Sequence, residues 1–409
     1  MGRPWLARRG ETRLAAPQRI CFFFNAQIHH LAHAMPLAIQ LSRDPAFAVD
    51  VMAAGDDHLA LACEMALARD AGPIRFVRCG GPVLDMMARI VGSATPPKLA
   101  VLIAARRALA SYDAIVVPER TSLLLKRLGL TTTRFIHTCH GAGDRAVGYD
   151  RRIARFDFVL LAGEKQRRRM LDDGLIREGH YAITGYGKFD LVQAPRRQSL
   201  FPQQRPVILY NPHFSPNLSS WPDMGDAVIR QFAQDDRFNL IVAPHIRLFD
   251  RKRERAAMER RLADVAALPH VHIDLGSRAS VDMRYVQMAS LYIGDVSSQI
   301  YEYIARPRPC LFLNAHRTLW HDDPSYAHWR YGPVLDSAGD IVEAALAAIA
   351  DHGAYRKAQQ RGLADTFDQR AEPASVRGAR ALTAYLHRSR PAPISTMPVL
   401  RPVGAMSHG

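Results

Sequence analysis

The run Ile293-Gly294-Asp295-Val296-Ser297-Ser298-Gln299-Ile300-Tyr301-Glu302 sets an acidic turn and two adjacent hydroxyls between a strand end and a helix start. Backbone N–H groups over 296–299 would be unpaired donors at that start, where the helix dipole also favours an anion. Ser297 and Ser298 add hydroxyl donors, so a phosphate or diphosphate suits this turn. Glu302 lies about one helical turn beyond Ser298 and can accept hydrogen bonds from a sugar diol in the same crevice. An ordinary capped helix, with Ser297 as the cap and Glu302 solvated, is the competing reading. His137-Thr138-Cys139-His140-Gly141-Ala142-Gly143-Asp144 places a histidine before a glycine-rich turn. Glycine lets the backbone approach a ligand, and a histidine beside it can remove a hydroxyl proton near neutral pH. In Pro244-His245-Ile246-Arg247, an imidazole and a guanidinium can hold a diphosphate oxygen and offset charge on a leaving group. A capping histidine beside a solvated arginine would read the same way.

Other segments carry weaker signals. Thr184-Gly185-Tyr186-Gly187-Lys188-Phe189-Asp190 is a flexible stretch, and His213 sits in an Asn-Pro-His-Phe turn that can be purely structural. His29 and His33 share one helical face and can supply two metal ligands, but no acidic third ligand is obvious nearby. No Asp-x-Asp motif occurs, which argues against a transferase that relies on that metal site. The basic clusters at Arg151, Arg152 and Arg155, at 165–169 and at 247–261 suit either anionic lipid or plain solvation. Aromatic residues do not interleave with them as nucleic-acid stacking platforms require, so no nucleic-acid partner is expected.

These loops need elements to hold them, and the chain is long enough to provide them. Its 409 residues suffice for two domains, and 48% hydrophobic with 23% charged residues is a globular balance. A net charge of +15 calls for an acidic partner such as a phosphorylated substrate or an anionic membrane surface. The five cysteines form no C-x-x-C pair, so neither a zinc site nor a disulfide framework is predicted and a reducing cytoplasm fits. No signal-peptide core and no run of about 18 apolar residues is present, which predicts a cytoplasmic chain, peripheral at most on a membrane.

Apolar strands are predicted over 19–24, 48–53, 74–78, 114–118, 134–138, 158–161 and 181–184, alternating with helices. After a Pro-, Gln- and Arg-rich stretch, strands restart over 207–211, 239–243, 271–274, 291–293 and 310–313. The pattern predicts an α/β fold of two Rossmann-like, doubly wound parallel-sheet domains facing a central cleft. The boundaries it implies are a basic extension over 1–18, a first domain over 19–192 and a linker over 193–205. A second domain with closing helices follows over 206–388, then a disordered tail over 389–409. Strand-end loops from both sheets should meet in the cleft.

In order, His140-Gly141, Thr184-Gly185-Tyr186 with Asp190, Tyr210-Asn211-Pro212, Pro244-His245, and Asp295 with Ser297, Ser298 and Glu302 resemble the motifs of the CDP-glycerol glycerophosphotransferase family, the teichoic-acid type. The resemblance covers roughly 137–314; the first sheet agrees only in architecture. It implies a GT-B fold with the acceptor in the first half and the nucleotide in the second. His140 would be the general base, and His245 a second catalytic residue. His245, Arg247, Ser297 and Ser298 would hold the donor diphosphate and Glu302 the ribose. Gly141, Gly143, Gly185, Asp190 and Asp295 would shape the cleft loops. No metal or cofactor would be required, CDP-glycerol being a substrate. The implied reaction is transfer of glycerol phosphate, or a related polyol phosphate, to a hydroxyl of a cell-surface polymer or its lipid-linked precursor, releasing CMP. The chain departs from the pattern: the proline after the His-Gly-Thr segment is missing, Val296 replaces a tyrosine and Ile246 replaces a proline. The Asp-x-Ser-Ser turn with its acidic residue also resembles that of UDP-N-acetylglucosamine 2-epimerases and many GT-B glycosyltransferases. A nucleotide-sugar donor is therefore the alternative.

Overall fold

A computed structural model describes residues 16–91, 96–139, 141–191, 200–280 and 282–388. The expected N-terminal extension up to residue 15, most of the linker, His140 and the tail over 389–409 lie outside the described residues.

The first half builds a sheet from β1 (Gln18–Phe24), β2 (Phe47–Ala53), β3 (Ile74–Arg78), β4 (Ala114–Val117), β5 (Arg134–Thr138), β6 (Phe158–Leu161) and β7 (Tyr181–Ile183). Between these run α1 (Leu31–Leu41), α2 (Asp56–Leu67), α3 (Pro82–Val91), α4 (Lys98–Leu109), α5 (Leu124–Arg127) and α6 (Glu164–Asp172). The strand order is β3-β2-β1-β4-β5-β6-β7, all parallel. Helices cover both faces, which is why the strands read as unbroken apolar runs. In β1, Ile20, Phe22 and Phe24 enter the core under α1, while Cys21 and Phe23 enter the core on the other face.

The second half repeats the plan. It contains β8 (Val207–Asn211), α7 (Trp221–Gln234), β9 (Asn239–Val242), α8 (Lys252–Arg261), α9 (Ala263–Ala266) and β10 (Val271–Ile273). There follow α10 (Arg284–Met288), β11 (Leu291–Gly294), α11 (Gln299–Tyr303), β12 (Cys310–Leu313) and β13 (Val334–Leu335). The order is β10-β9-β8-β11-β12-β13, again parallel. The chain ends with α12 (Ile341–Ala350), α13 (His352–Thr366) and α14 (Ala374–Arg388).

The assignment of every closing helix to the second domain needs correction. α14 returns to the first sheet, where Leu382, Tyr385 and Leu386 join the core formed by α1 and β1. Its apolar stripe at helical spacing is clear in the sequence, but the stripe does not say which sheet it covers. Two elements were not anticipated: the two-residue β13, too short to show alternation, and α13, whose mean composition is polar. The helix that opens after Ser298 is short and stops at Tyr303, shortly before Pro307.

Candidate functional site

In each sheet the connections reverse direction beside the first strand, and a ligand crevice opens at that point beyond the strand ends. In the second sheet the reversal falls between β8 and β11, so the loops over 211–220 and 294–298 meet there. Asp295 joins them. Its buried carboxylate accepts from the backbone N–H of His213 (2.8 Å), Ser220 (2.7 Å) and Val296 (2.7 Å) and from the Ser220 hydroxyl (3.0 Å). Burial pushes its pKa up to about 6 against those hydrogen bonds, which favour the charged form. Asp295 thus ties the two loops together, and both its oxygens are taken up by these donors. Behind it, the indole N–H of Trp329 donates to the Asp295 carbonyl at 2.9 Å.

The turn presents Ser298, exposed, to the opposite domain. There the glycine loop after β5 comes so close that a Cβ on Gly143 would lie 2.9 Å from the Ser298 Cβ, and one on Gly141 would lie 3.7 Å from its hydroxyl oxygen. Proximity requires glycine at 143, whereas the distance at 141 is ordinary contact; Gln166 fixes the loop through its amide N–H to the Gly141 carbonyl at 3.0 Å. Ser297 is buried, and its hydroxyl accepts from the Gln299 N–H at 3.3 Å. α11 has only five residues, so the dipole contribution expected at this helix start is small, and an anion here would have to be held by hydroxyl and backbone donors.

Asp144 anchors the glycine loop across the domain boundary. Its buried carboxylate accepts from the Tyr301 hydroxyl (2.7 Å), the His328 ring (2.9 Å) and Lys165 (2.9 Å). Burial opposes its charge, yet the His328 hydrogen bond and the Lys165 ammonium hold it well below the ordinary carboxylate range. Lys165 also stands 4.0 Å over the Tyr301 ring.

Glu302 is buried under the same turn. Its carboxylate takes the Lys188 ammonium at 2.8 and 3.0 Å and the Tyr186 hydroxyl at 2.9 Å. Both partners come from the Thr-Gly-Tyr segment of the first domain, so the residue expected at the ribose forms an interdomain ion pair. Gly185, at φ +86°, lets that segment turn against Asp368 and Ala374, where a side chain would clash. Asp190 caps α14 by accepting from the backbone N–H of Ser375 at 2.7 Å and of Ala374 at 3.2 Å.

His245, after β9, is half-buried, and its Nδ1 accepts from the Arg247 N–H at 3.2 Å, which leaves Nε2 as a donor. Burial first, then the charges of Arg247 and Lys188, push its pKa down to about 4. The ring is neutral at pH 7, so it can donate a hydrogen bond to a phosphate oxygen but brings no fixed positive charge. His213 is pushed down to about 3 by burial and by Arg145, whose guanidinium lies 3.0 Å from its ring. Arg247 is exposed, 4.0 Å over the Phe214 ring, and His29 faces His245 across the cleft with ring centroids 6.0 Å apart. Among the described residues no group of three His, Cys, Asp or Glu could hold a metal ion. A small cavity beside the Lys188–Glu302 pair is lined by Lys188, Asn211, Ala243, Ser280, Tyr285 and Glu302.

Of the sequence-predicted residues, the structure brings Gly141, Gly143, His245, Ser297, Ser298 and Glu302 to one cleft, with Asp295 and Asp190 as supports. Asp144, Lys165, Lys188 and His328 also belong to this cleft, and no motif singles them out. Asp144 and Lys188 stood inside quoted motifs, but nothing in their spacing marked a partner over a hundred residues away. The basic stretch over 165–169 is largely matched by acids, Lys165 by Asp144 and Arg168 by Asp365 at 2.6 Å. Arg152 pairs with its neighbour Asp150.

No protein-family model matches the sequence, and neither does any curated protein. Solved structures do share the fold. A putative UDP-N-acetylglucosamine 2-epimerase from Listeria monocytogenes aligns over 92% of this chain and 98% of its own, with a TM-score of 0.64 at 14% identity. The S. aureus MnaA–UDP structure aligns over 90% and 97%, with a TM-score of 0.62 at 13% identity. The wall teichoic acid polymerase TagF aligns over 91% and 88%, with a TM-score of 0.58 at 13% identity. At such identities the likeness establishes the two-domain GT-B architecture, and both lines of resemblance drawn from the motifs are represented among these structures.

Proposed function

We propose that the chain is a transferase moving a glycerol phosphate, or related polyol phosphate, unit from CDP-glycerol to a hydroxyl of a cell-surface polymer or its lipid-linked precursor. The observation that carries this reading is the approach of the Gly141–Gly143 loop to Ser298, which brings the expected base segment against the expected diphosphate turn. His140 takes the acceptor proton, and the freed oxygen bonds to the β-phosphorus. The bond from that phosphorus to the bridging oxygen breaks, and CMP leaves with the electron pair. Ser297, Ser298, Arg247 and the Nε2–H of His245 hold the phosphate oxygens and stabilise the charge developing on the leaving group. Glu302 exchanges Lys188 for the ribose diol when the nucleotide enters. A TagF variant soaked with CDPG is among the structures sharing this fold, which supports a cytidine donor.

A nucleotide-sugar enzyme of the glycosyltransferase or 2-epimerase kind is the second reading. It is favoured by Val296, a buried aliphatic residue at the place of the family's tyrosine, which departs from that family's pattern. Incubation with CDP-glycerol and, separately, with UDP-sugars, followed by assay of CMP and UDP, separates the two. CMP release that disappears in His140→Ala is the expected result; UDP release without CMP refutes the first reading.

A further inference from the structure

Among the described residues seven large apolar side chains are more than half exposed, and five of them, Val83, Met86, Ile90, Leu99 and Ile103, stand on α3 and α4. Their spacing makes two stripes. Val83, Met86 and Ile90 follow one another by three and four residues on α3, and Leu99 and Ile103 by four on α4, so each set shares a helical face. Both helices already have an inward face: Leu84 of α3 and Val101, Leu102, Ala105 and Leu109 of α4 enter one core on the same side of the first sheet. The exposed stripes therefore point away from that sheet on one side. A surface helix of a soluble domain ordinarily turns charge outward, whereas these two carry Leu, Ile, Met and Val there.

The charges around the stripes have one sign. Over 82–109 the sequence holds Arg89, Lys98, Arg106 and Arg107 against the single acid Asp85, and Asp85 is matched by Arg78 at 2.6 Å. Arg89, Arg106 and Arg107 are exposed beside the apolar residues. We infer that the α3–α4 face is a docking surface for an anionic lipid bilayer, with the five apolar side chains sunk at the level of the acyl boundary and the arginines among the headgroups. A second copy of the chain fits less well, because a two-fold contact would bring the same arginines of two strongly basic molecules together. α3 starts directly after the carboxyl end of β3, the end of the sheet from which the cleft loops also emerge, so a docked chain would turn its cleft towards a lipid-linked acceptor. That purpose rests on the proposed function, but the docking itself does not.

The test is cosedimentation of the full chain with vesicles of phosphatidylglycerol and of phosphatidylcholine. Binding to the anionic vesicles alone is expected, falling as ionic strength rises from about 0.01 M to about 1 M and screening shortens from about 30 Å to about 3 Å. The triple change Met86→Glu, Ile90→Glu and Ile103→Glu should lower partition by about a hundredfold or more. Arg89→Gln with Arg106→Gln and Arg107→Gln should lower it about a hundredfold and remove most of the salt dependence. Because these side chains are exposed, both variants should keep the melting temperature and nucleotide binding of the parent. No binding, equal binding to both lipids, or binding unchanged in the variants overturns the inference. A dimer in solution that the glutamate variant abolishes, without vesicle binding, overturns it in favour of self-association. Vesicle binding that persists while neither CMP nor UDP is ever released would sink the proposed chemistry and leave the docking surface standing.

Discussion

Glu302 has one partner too many if it is both an interdomain counter-charge and a ribose acceptor, and mutation of Lys188 separates the two roles. The Lys188 and Glu302 side chains are 6% and 5% exposed, so solvent screens their contact little. Removing either partner leaves a charge buried without compensation, at a cost of about 3–5 kcal/mol, whereas replacing both with apolar groups of similar volume is close to neutral. Urea unfolding should therefore show Lys188→Met and Glu302→Leu each strongly destabilised and the double variant within about 2 kcal/mol of the parent. Nucleotide binding should follow a different pattern. Lys188→Met frees the carboxylate oxygens and should bind a cytidine or uridine nucleotide at least as tightly as the parent. The double variant keeps the fold but lacks the acceptor for the diol. Losing a charged hydrogen bond worth about 1.5–3 kcal/mol should weaken binding roughly 10- to 150-fold by titration calorimetry. Parent-like affinity in the stable double variant would refute the ribose contact and reduce Glu302 to a structural counter-charge.

Gly143→Ala places a Cβ 2.9 Å from the Ser298 Cβ, so the glycine loop must retreat; turnover should fall at least tenfold while the melting temperature moves by only a few degrees. His245→Gln keeps a neutral N–H donor and should retain most donor affinity, whereas His245→Ala should lose about tenfold by competition binding. Between about pH 4 and about 6 the folded chain holds a proton on Asp295 that the unfolded chain has released, so this group's contribution lowers stability as pH rises through that window. Over the whole window the contribution reaches about 3 kcal/mol; unfolding curves of parent and Asp295→Asn across it should diverge in slope with that sign, and parallel slopes would exclude the proton.

The doubly wound architecture was legible because strands buried on both faces are written as continuous apolar runs, as in Ile20 to Phe24 and Val207 to Tyr210. Punctuation by glycine and proline then marks their ends. What was not legible was attachment. The apolar stripe of α14 states that one face is covered, and only the tertiary structure shows that Leu382 and Leu386 lie beside α1 of the first domain. The outward stripes of α3 and α4 escaped for the same reason. Val83 and Leu102 are equally apolar in the sequence, and only packing separates the exposed one from the buried one.

The site shows a related limit with a functional consequence. Motif spacing picked out Asp295 and Glu302 because carboxylates after strand ends suit a nucleotide, yet the structure also gives each a second employment. Asp295 ties the β8 and β11 loops together, Glu302 holds Lys188, and the unmarked Asp144 holds Lys165, Tyr301 and His328. Glu302 takes its donors from the opposite domain and Asp144 takes donors from both, so each makes the interdomain contact and the site geometry depend on the same oxygen atoms. A nucleotide that claims Glu302 must displace Lys188 and thereby release one interdomain tie, while the Asp144 tie beside the glycine loop is untouched. Binding should then loosen the Thr-Gly-Tyr side of the cleft and keep the Gly143–Ser298 side closed. That asymmetry would admit an acceptor without dismantling the diphosphate grip.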